Sequence, residues 1–192
     1  MADIGMADWD MQLTESVAEK IRQDFFDMQI FVEADLQSSI CMELRGFIKK
    51  NENEKWRVFN QVHQLTGKGK SIYPDILLTR NMSRMLAIEL KQSAGRQESV
   101  PFSSVLSDVV KMGKYGTNHK IPTYVYYTCY KNKGLEKDEY EQLLTKSNSY
   151  GKWAPTIVLI NLSSTLGHAD WYRRLRAYRS EWKQFYNDKE MD

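Results

Sequence analysis

The sequence predicts an α/β protein: a single three-layer α/β/α domain with a central mixed β-sheet. Three observations predict it. Two amphipathic helical patterns fill the first 49 residues; two short apolar runs, 74–79 and 85–90, follow at a hairpin-compatible separation; and beyond residue 99 helical and strand patterns alternate. A cluster of strands followed by alternating helices and strands builds a mixed sheet covered on both faces. The 192 residues suit one domain and can bury a core without disulfide or metal staples. With no repeat, low-complexity tract or Pro/Gly-rich linker, the chain divides into an N-terminal helical arm (1–29), a core (30–162) and a closing helix (163–192) within that one domain.

Taken in order, residues 1–12 read as a flexible or loosely docked start. Residues 13–29 read as a helix, with Leu13, Val17, Ile21 and Phe25 on one stripe. A second helix over 33–49 places Leu36, Ile40, Leu44 and Phe47 on one face. The polar segment Asn51–Lys55 is a turn, and 56–65 alternates as a strand through Trp56, Val58 and Val62. The loop Thr66–Lys70 leads to the runs Pro74–Thr79 and Met85–Leu90, read as a hairpin with a five-residue loop, Arg80–Arg84. A helix over 99–115 precedes the strand 122–130, dense in aromatic and β-branched residues. A helix over 136–147, a strand over 156–162 and a helix over 168–187 complete the chain.

Composition sets broad limits. Hydrophobic residues make up 42% and charged residues 27%, an ordinary soluble globular balance. No run approaches the ~18 apolar residues of a membrane span. The N-terminus lacks a basic region followed by an apolar stretch, so no secretory signal is read there and a cytoplasmic location is expected. Cys41 and Cys129 form no CxxC pair and read as reduced, structural thiols. A formal net charge of +2 neither favours nor excludes a nucleic-acid partner, so any basic surface must be local.

The chemistry concentrates on the hairpin. In Leu86-Ala-Ile-Glu-Leu-Lys, period-2 alternation sends Leu86, Ile88 and Leu90 to one face and Ala87, Glu89 and Lys91 to the other. Folding about Met82 sets Asp75 opposite Glu89, Leu77 opposite Ala87 and Thr79 opposite Met85. Cross-strand neighbours have Cβ atoms roughly 4.5–5.5 Å apart. Two carboxylates that close repel unless something positive lies between them. A hard divalent cation is the natural occupant, and Mg²⁺ accepts one or two carboxylates while keeping waters for a substrate phosphate. Lys91 adds a cation that can orient an attacking water or help deprotonate it, and stabilise developing charge. The bland reading is a surface hairpin with solvated charges, the usual fate of a lone Glu-x-Lys. It fits less well where both strands are apolar on the opposite face.

Pro74-Asp75, thirteen intervening residues, then Glu89-Leu90-Lys91 resembles the PD-(D/E)XK motif of the restriction-endonuclease-like nuclease superfamily. The flanking apolar residues and the α-β-β-β-α-β order through residue 130 are similar to the family core, and the resemblance covers about residues 30–162. It implies that Asp75 and Glu89 bind Mg²⁺, or Mn²⁺ as a substitute, with the Leu90 carbonyl as a further ligand. It implies that Lys91 is the catalytic lysine and that the reaction is metal-dependent phosphodiester hydrolysis, with DNA as the expected substrate. Endonuclease roles in restriction, defence, repair or mobile elements, and a homodimer or larger complex, all fall within what it implies.

Many members of the superfamily also place a glutamate on the helix before the sheet. With ~100° per residue and Ile40 at zero, Glu33 falls about 20° away, inside the apolar stripe, and Glu43 about 60° away, at its edge. A carboxylate on the inward face is costly unless paired or metal-bound, which favours Glu33 as a further catalytic and metal-binding residue. A helix N-terminus would also attract Glu33 through the dipole alone. Gln37, one turn on, can support Glu33 or contact a phosphate.

Gly67-Lys68-Gly69-Lys70-Ser71 is not a phosphate loop, because Gln64 stands where a glycine is required. Lys68 and Lys70 are candidates for contact with a nucleic-acid backbone, or simply a solvated turn. Asp108, Lys111 and Lys114 lie at helical spacing; Lys111 is a candidate phosphate contact, against a solvated face. Gln61 and His63 share a strand face, with His63 more simply structural. In the closing helix Trp171, Leu175, Tyr178, Trp182 and Phe185 form an apolar stripe for packing or a partner, and Arg173, Arg174, Arg176 and Arg179 crowd the rest. Arg173 and Arg176 are the candidate nucleic-acid contacts there. His63, His119 and His168 are too scattered for a zinc site. The rival readings are a non-catalytic nucleic-acid-binding or assembly protein on the same fold, and an unrelated α/β interaction domain. Divalent-metal binding through Asp75 discriminates them.

Overall fold

The computed structural model describes residues 6–27, 33–49, 55–60, 73–92, 101–129 and 135–161. They form four helices and a five-stranded mixed sheet: α1 (Met6–Phe26), α2 (Glu33–Lys49), β1 (Trp56–Asn60), β2 (Ile76–Arg80), β3 (Ser83–Gln92), α3 (Phe102–His119), β4 (Thr123–Cys129), α4 (Lys137–Asn148) and β5 (Thr156–Asn161). A 3₁₀ turn, Gly151–Trp153, lies before β5. The expected α/β class and element order hold over these residues. The first helix starts at Met6, earlier than expected, so half of the supposed loose start is helical. The closing helix expected over 168–187 lies outside the described residues.

The sheet runs in sequence order, β1-β2-β3-β4-β5. The pairs β1–β2 and β2–β3 are antiparallel, and β3–β4 and β4–β5 are parallel. Side-chain alternation sorts the core into two clusters. Ile76, Leu78, Leu86, Ile88, Leu90, Tyr124, Tyr126 and Ile160 pack against Val17, Ile21 and Phe25 of α1 and Leu36, Ile40 and Leu44 of α2. Leu77, Ala87, Val125, Tyr127 and Cys129 pack against Val105, Val109 and Met112 of α3 and Leu143 of α4. Each fully buried aliphatic side chain contributes roughly 1.5–3 kcal/mol, so the two faces together clamp β3 and β4 between helix layers. β4 is buried along its whole length, as its continuous apolar and aromatic run requires of a central parallel strand.

A polar bridge fixes α1 on α2: Ser39 Oγ donates to Asp24 Oδ2 at 2.5 Å, and Lys20 pairs with Asp24 one turn away. Cys41 and Cys129 are free and buried, one in each cluster. Among the described residues no helix is long and apolar enough to cross a membrane.

The hairpin differs from expectation in its turn. β2 and β3 are joined by two residues, Asn81 and Met82, both at positive φ (49° and 68°). That is the mirror-image turn whose twist matches paired strands, and Asn tolerates the left-handed region better than most residues. The register runs Ile76↔Ile88, Leu77↔Ala87, Leu78↔Leu86, then shifts at Leu78/Thr79 to Thr79↔Arg84 and Arg80↔Ser83. Thr79 therefore faces Arg84 rather than Met85. A bulge absorbs the odd residue, so the five-residue loop is unnecessary.

Candidate active site

The register Ile76↔Ile88, continued by one residue, puts Asp75 across from Glu89, as the folded hairpin predicts. Asp75 sits in the bend just before β2, and two backbone contacts hold it there. The Leu90 N–H donates to Asp75 Oδ2 at 2.8 Å, and Gln37 Nε2 donates to the Asp75 carbonyl at 2.9 Å. Gln37 thus anchors the loop of Asp75 to α2 instead of supporting Glu33. Leu90 meets Asp75 through its amide.

Glu89 and Lys91 alternate with Leu90 and so face α3. Glu89 is 5% exposed. Its Oε1 accepts from Lys111 Nζ at 2.6 Å, whereas its buried Oε2 has no hydrogen-bond partner among the described residues. Burial, then the Asp75 charge, pushes its carboxyl up to about 8, with Lys111 opposing. A buried carboxylate beside another is costly to ionise, and among the described residues the Lys111 ammonium is the positive group that lowers that cost.

Lys91 Nζ lies 3.3 Å from Asp108 Oδ2. Burial alone would pull its pKa down, but Asp108 first, with Glu33 and Glu89, outweighs that and holds it above the ordinary lysine value. Asp108, 8% exposed, is itself pushed up by burial, against the pull of Lys91 and Lys111. Glu33 opens α2 at the same edge. The residue as a whole is exposed, while its carboxyl end leans on the edge of the sheet, where its Oε2 accepts the Gln92 N–H at 3.4 Å and loses part of its water. Its pKa is raised, by burial first, with Lys91 lowering it and Asp75 adding to the rise.

Asp75, Glu89, Lys91, Glu33 and Lys111 are therefore brought together. The set lies at the C-terminal end of β3, the edge where ligands gather in sheets with parallel strands. Glu43 does not belong to it, because it pairs with the Ser16 hydroxyl on α1. His119 lies against Arg84, with 2.6 Å from its Nδ1 to the guanidinium, near the opposite end of β3. Lys68, Lys70, Arg173 and Arg176, like Gln61 and His63, lie outside the described residues.

The solvated-face reading of α3 fails for Asp108 and Lys111, though Lys114 is exposed. Asp108 is the residue that sequence reasoning passed over. Its signal was weak: at ~100° per residue Asp108 falls about 60° from Val105, at the edge of the stripe of Val105, Val109 and Met112, where an inward and a solvated face are both compatible.

The donor set suits a hard divalent cation. Asp75 and Glu89 offer carboxylate oxygens across one hairpin, and Glu89 Oε2 is buried with nothing to bind it. Among the described residues no three His, Cys, Asp or Glu side chains converge as a complete protein cage. Two carboxylates are the number of protein ligands that Mg²⁺ takes when it fills its other positions from water and substrate.

No protein-family model matches the chain, and no curated protein matches its sequence.

Proposed function

We propose that this chain is a Mg²⁺-dependent nuclease on a restriction-endonuclease-like fold, hydrolysing phosphodiester bonds in DNA, with Mn²⁺ as a substitute cofactor. The observation that carries the reading is the convergence at the end of β3. Glu89 carries a buried carboxylate oxygen with no hydrogen-bond partner among the described residues, Asp75 lies across the strand pair from it, and Lys91 comes from the same strand, paired with Asp108.

When bound, the cation supplies Lewis-acid polarisation of the scissile phosphate and makes water easier to deprotonate. Asp75 and Glu89 would hold it, with Glu33 at the rim. The Leu90 amide and Gln37 fix Asp75, so its carboxylate needs little reorganisation before substrate arrives. Lys91, kept charged by three surrounding acids, orients the attacking water and neutralises charge that develops on the phosphate.

The test is cleavage. Wild type and Asp75→Ala are incubated with supercoiled plasmid, linear duplex, single-stranded DNA and RNA, with Mg²⁺, Mn²⁺ or chelator. Metal-dependent cutting of DNA by the wild type, lost in Asp75→Ala, is expected. No cutting of any substrate, with no cation binding by calorimetry, refutes the reading and leaves a binding module.

A further inference from the structure

Two lysines reach the site, and they are held in different ways. Lys91 stands on a central strand beside Asp108, with Glu33 and Glu89 adding to its field. Lys111 comes from α3 on a long flexible stem, its side chain 29% exposed, and its ammonium hydrogen-bonds Glu89 Oε1. Glu89 is thus the one ligand of the predicted pair whose oxygen is already engaged by a positive group of the protein itself.

The charge balance at the site has the same sense. Four carboxyl groups (Glu33, Asp75, Glu89 and Asp108) face two ammonium groups (Lys91 and Lys111). Fully ionised, the cluster lacks two positive charges. A divalent cation between Asp75 and Glu89 supplies both, and the Lys111 ammonium then meets a like charge at the oxygen it occupied.

We infer that Lys111 is a stand-in for the divalent cation: its ammonium occupies Glu89 in the free protein, yields that carboxylate when the cation loads, and is released toward the substrate phosphate. This rests on the nuclease reading of the same site and adds an order of events to it. Lys91 stays on Asp108 throughout, whereas Lys111 exchanges a carboxylate for a phosphate. α3 therefore links cation loading to substrate contact, and the lysine that competes with the cation becomes a cation for the DNA. Lysine suits such an exchange, being a compact point charge with three donors and no fixed fork geometry.

The test is Mn²⁺ titration of the full chain without nucleic acid, by calorimetry, on wild type, Lys111→Met and Lys111→Gln. Methionine keeps an unbranched stem and removes the charge, and glutamine keeps a donor for Glu89 should the methionine variant fold poorly. Near-ultraviolet circular dichroism confirms that each is folded. Both variants should bind Mn²⁺ more tightly than wild type, by about fivefold or more, the factor for an ion pair worth ~1 kcal/mol. The Mn²⁺-induced rise in Tm should be larger in the variants too, while their DNA cleavage slows. Equal or weaker Mn²⁺ binding in the folded variants, with wild-type binding and cleavage intact, overturns the stand-in and leaves the nuclease standing. No Mn²⁺ binding by any of the three proteins overturns both.

Discussion

Glu89→Gln isolates the electrostatic cost of the site from its chemistry. In the folded protein the Glu89 carboxyl is pushed up to about 8, from an ordinary 4.5. A group whose folded pKa is raised stabilises the fold below its unfolded pKa, and that contribution is lost as pH climbs toward the folded value. Without divalent cation, Glu89 therefore erodes stability between about pH 4.5 and pH 8. At ~1.4 kcal/mol per pH unit, the loss between about pH 5 and pH 7 is on the order of 3 kcal/mol. The variant keeps the shape of the side chain and an acceptor for Lys111, but it does not titrate. In chelator, urea unfolding of wild type and variant should nearly coincide at pH 5 and diverge by pH 7. The variant should then be the more stable, by roughly 1 M in midpoint for a chain of this size. Added Mn²⁺ should restore the wild type at pH 7 and leave the variant unmoved. Parallel unfolding profiles from pH 5 to 8 would refute the reasoning, since Glu89 would then be ionised in the folded protein despite its burial and the Asp75 charge.

Two further substitutions probe the supports of the site. Asp108→Asn removes the charge that holds Lys91 and preserves the shape of the side chain. The cleavage kcat should fall about 10–100-fold, as for other outer-shell partners, with KM for DNA and Mn²⁺ affinity within a few-fold of wild type. Equal losses in Mn²⁺ affinity and kcat would instead make Asp108 a general structural prop. Gly113→Ala tests how α3 is seated, because a Cβ there would lie 2.3 Å from Cδ2 of the Tyr150 ring. Overpacking of this kind costs ~1–3 kcal/mol, so Tm by differential scanning calorimetry should drop about 2–10 °C. Tyr150→Ala in the same chain should recover part of it, and an unchanged Tm in Gly113→Ala would show that the ring swings aside freely.

The period of side-chain alternation was enough to read much of this site. Alternation along β3 separates Leu86, Ile88 and Leu90 from Ala87, Glu89 and Lys91, and a one-residue slip would set Glu89 and Lys91 into the aliphatic core under α1 and α2 in place of the leucines. That cost leaves one acceptable register, so Asp75 opposite Glu89 was legible without coordinates. Glu33 was legible only in part: the stripe argument places it inward, whereas as the first residue of α2 it is exposed and reaches the site's edge through the Gln92 N–H. The turn was not, because Asn81-Met82 and a loop of five residues satisfy the same strand faces, and only the pairing shows that a bulge takes up the difference.

What lies across the site was beyond the sequence as well. Asp108 and Lys111 are spaced for either a solvated or an inward face, and the packing of Val105, Val109 and Met112 against the sheet turns them inward. Short-range periodicity in the chain alone determined which residues share a face of the sheet and which two carboxylates meet. Tertiary structure decided what α3 sets against them, and with it the charge state of Glu89 and the partners of both lysines. Burial and long-range Coulomb terms depend on which elements come together in space, and residues 22 positions apart, like Glu89 and Lys111, leave no periodic trace of their meeting.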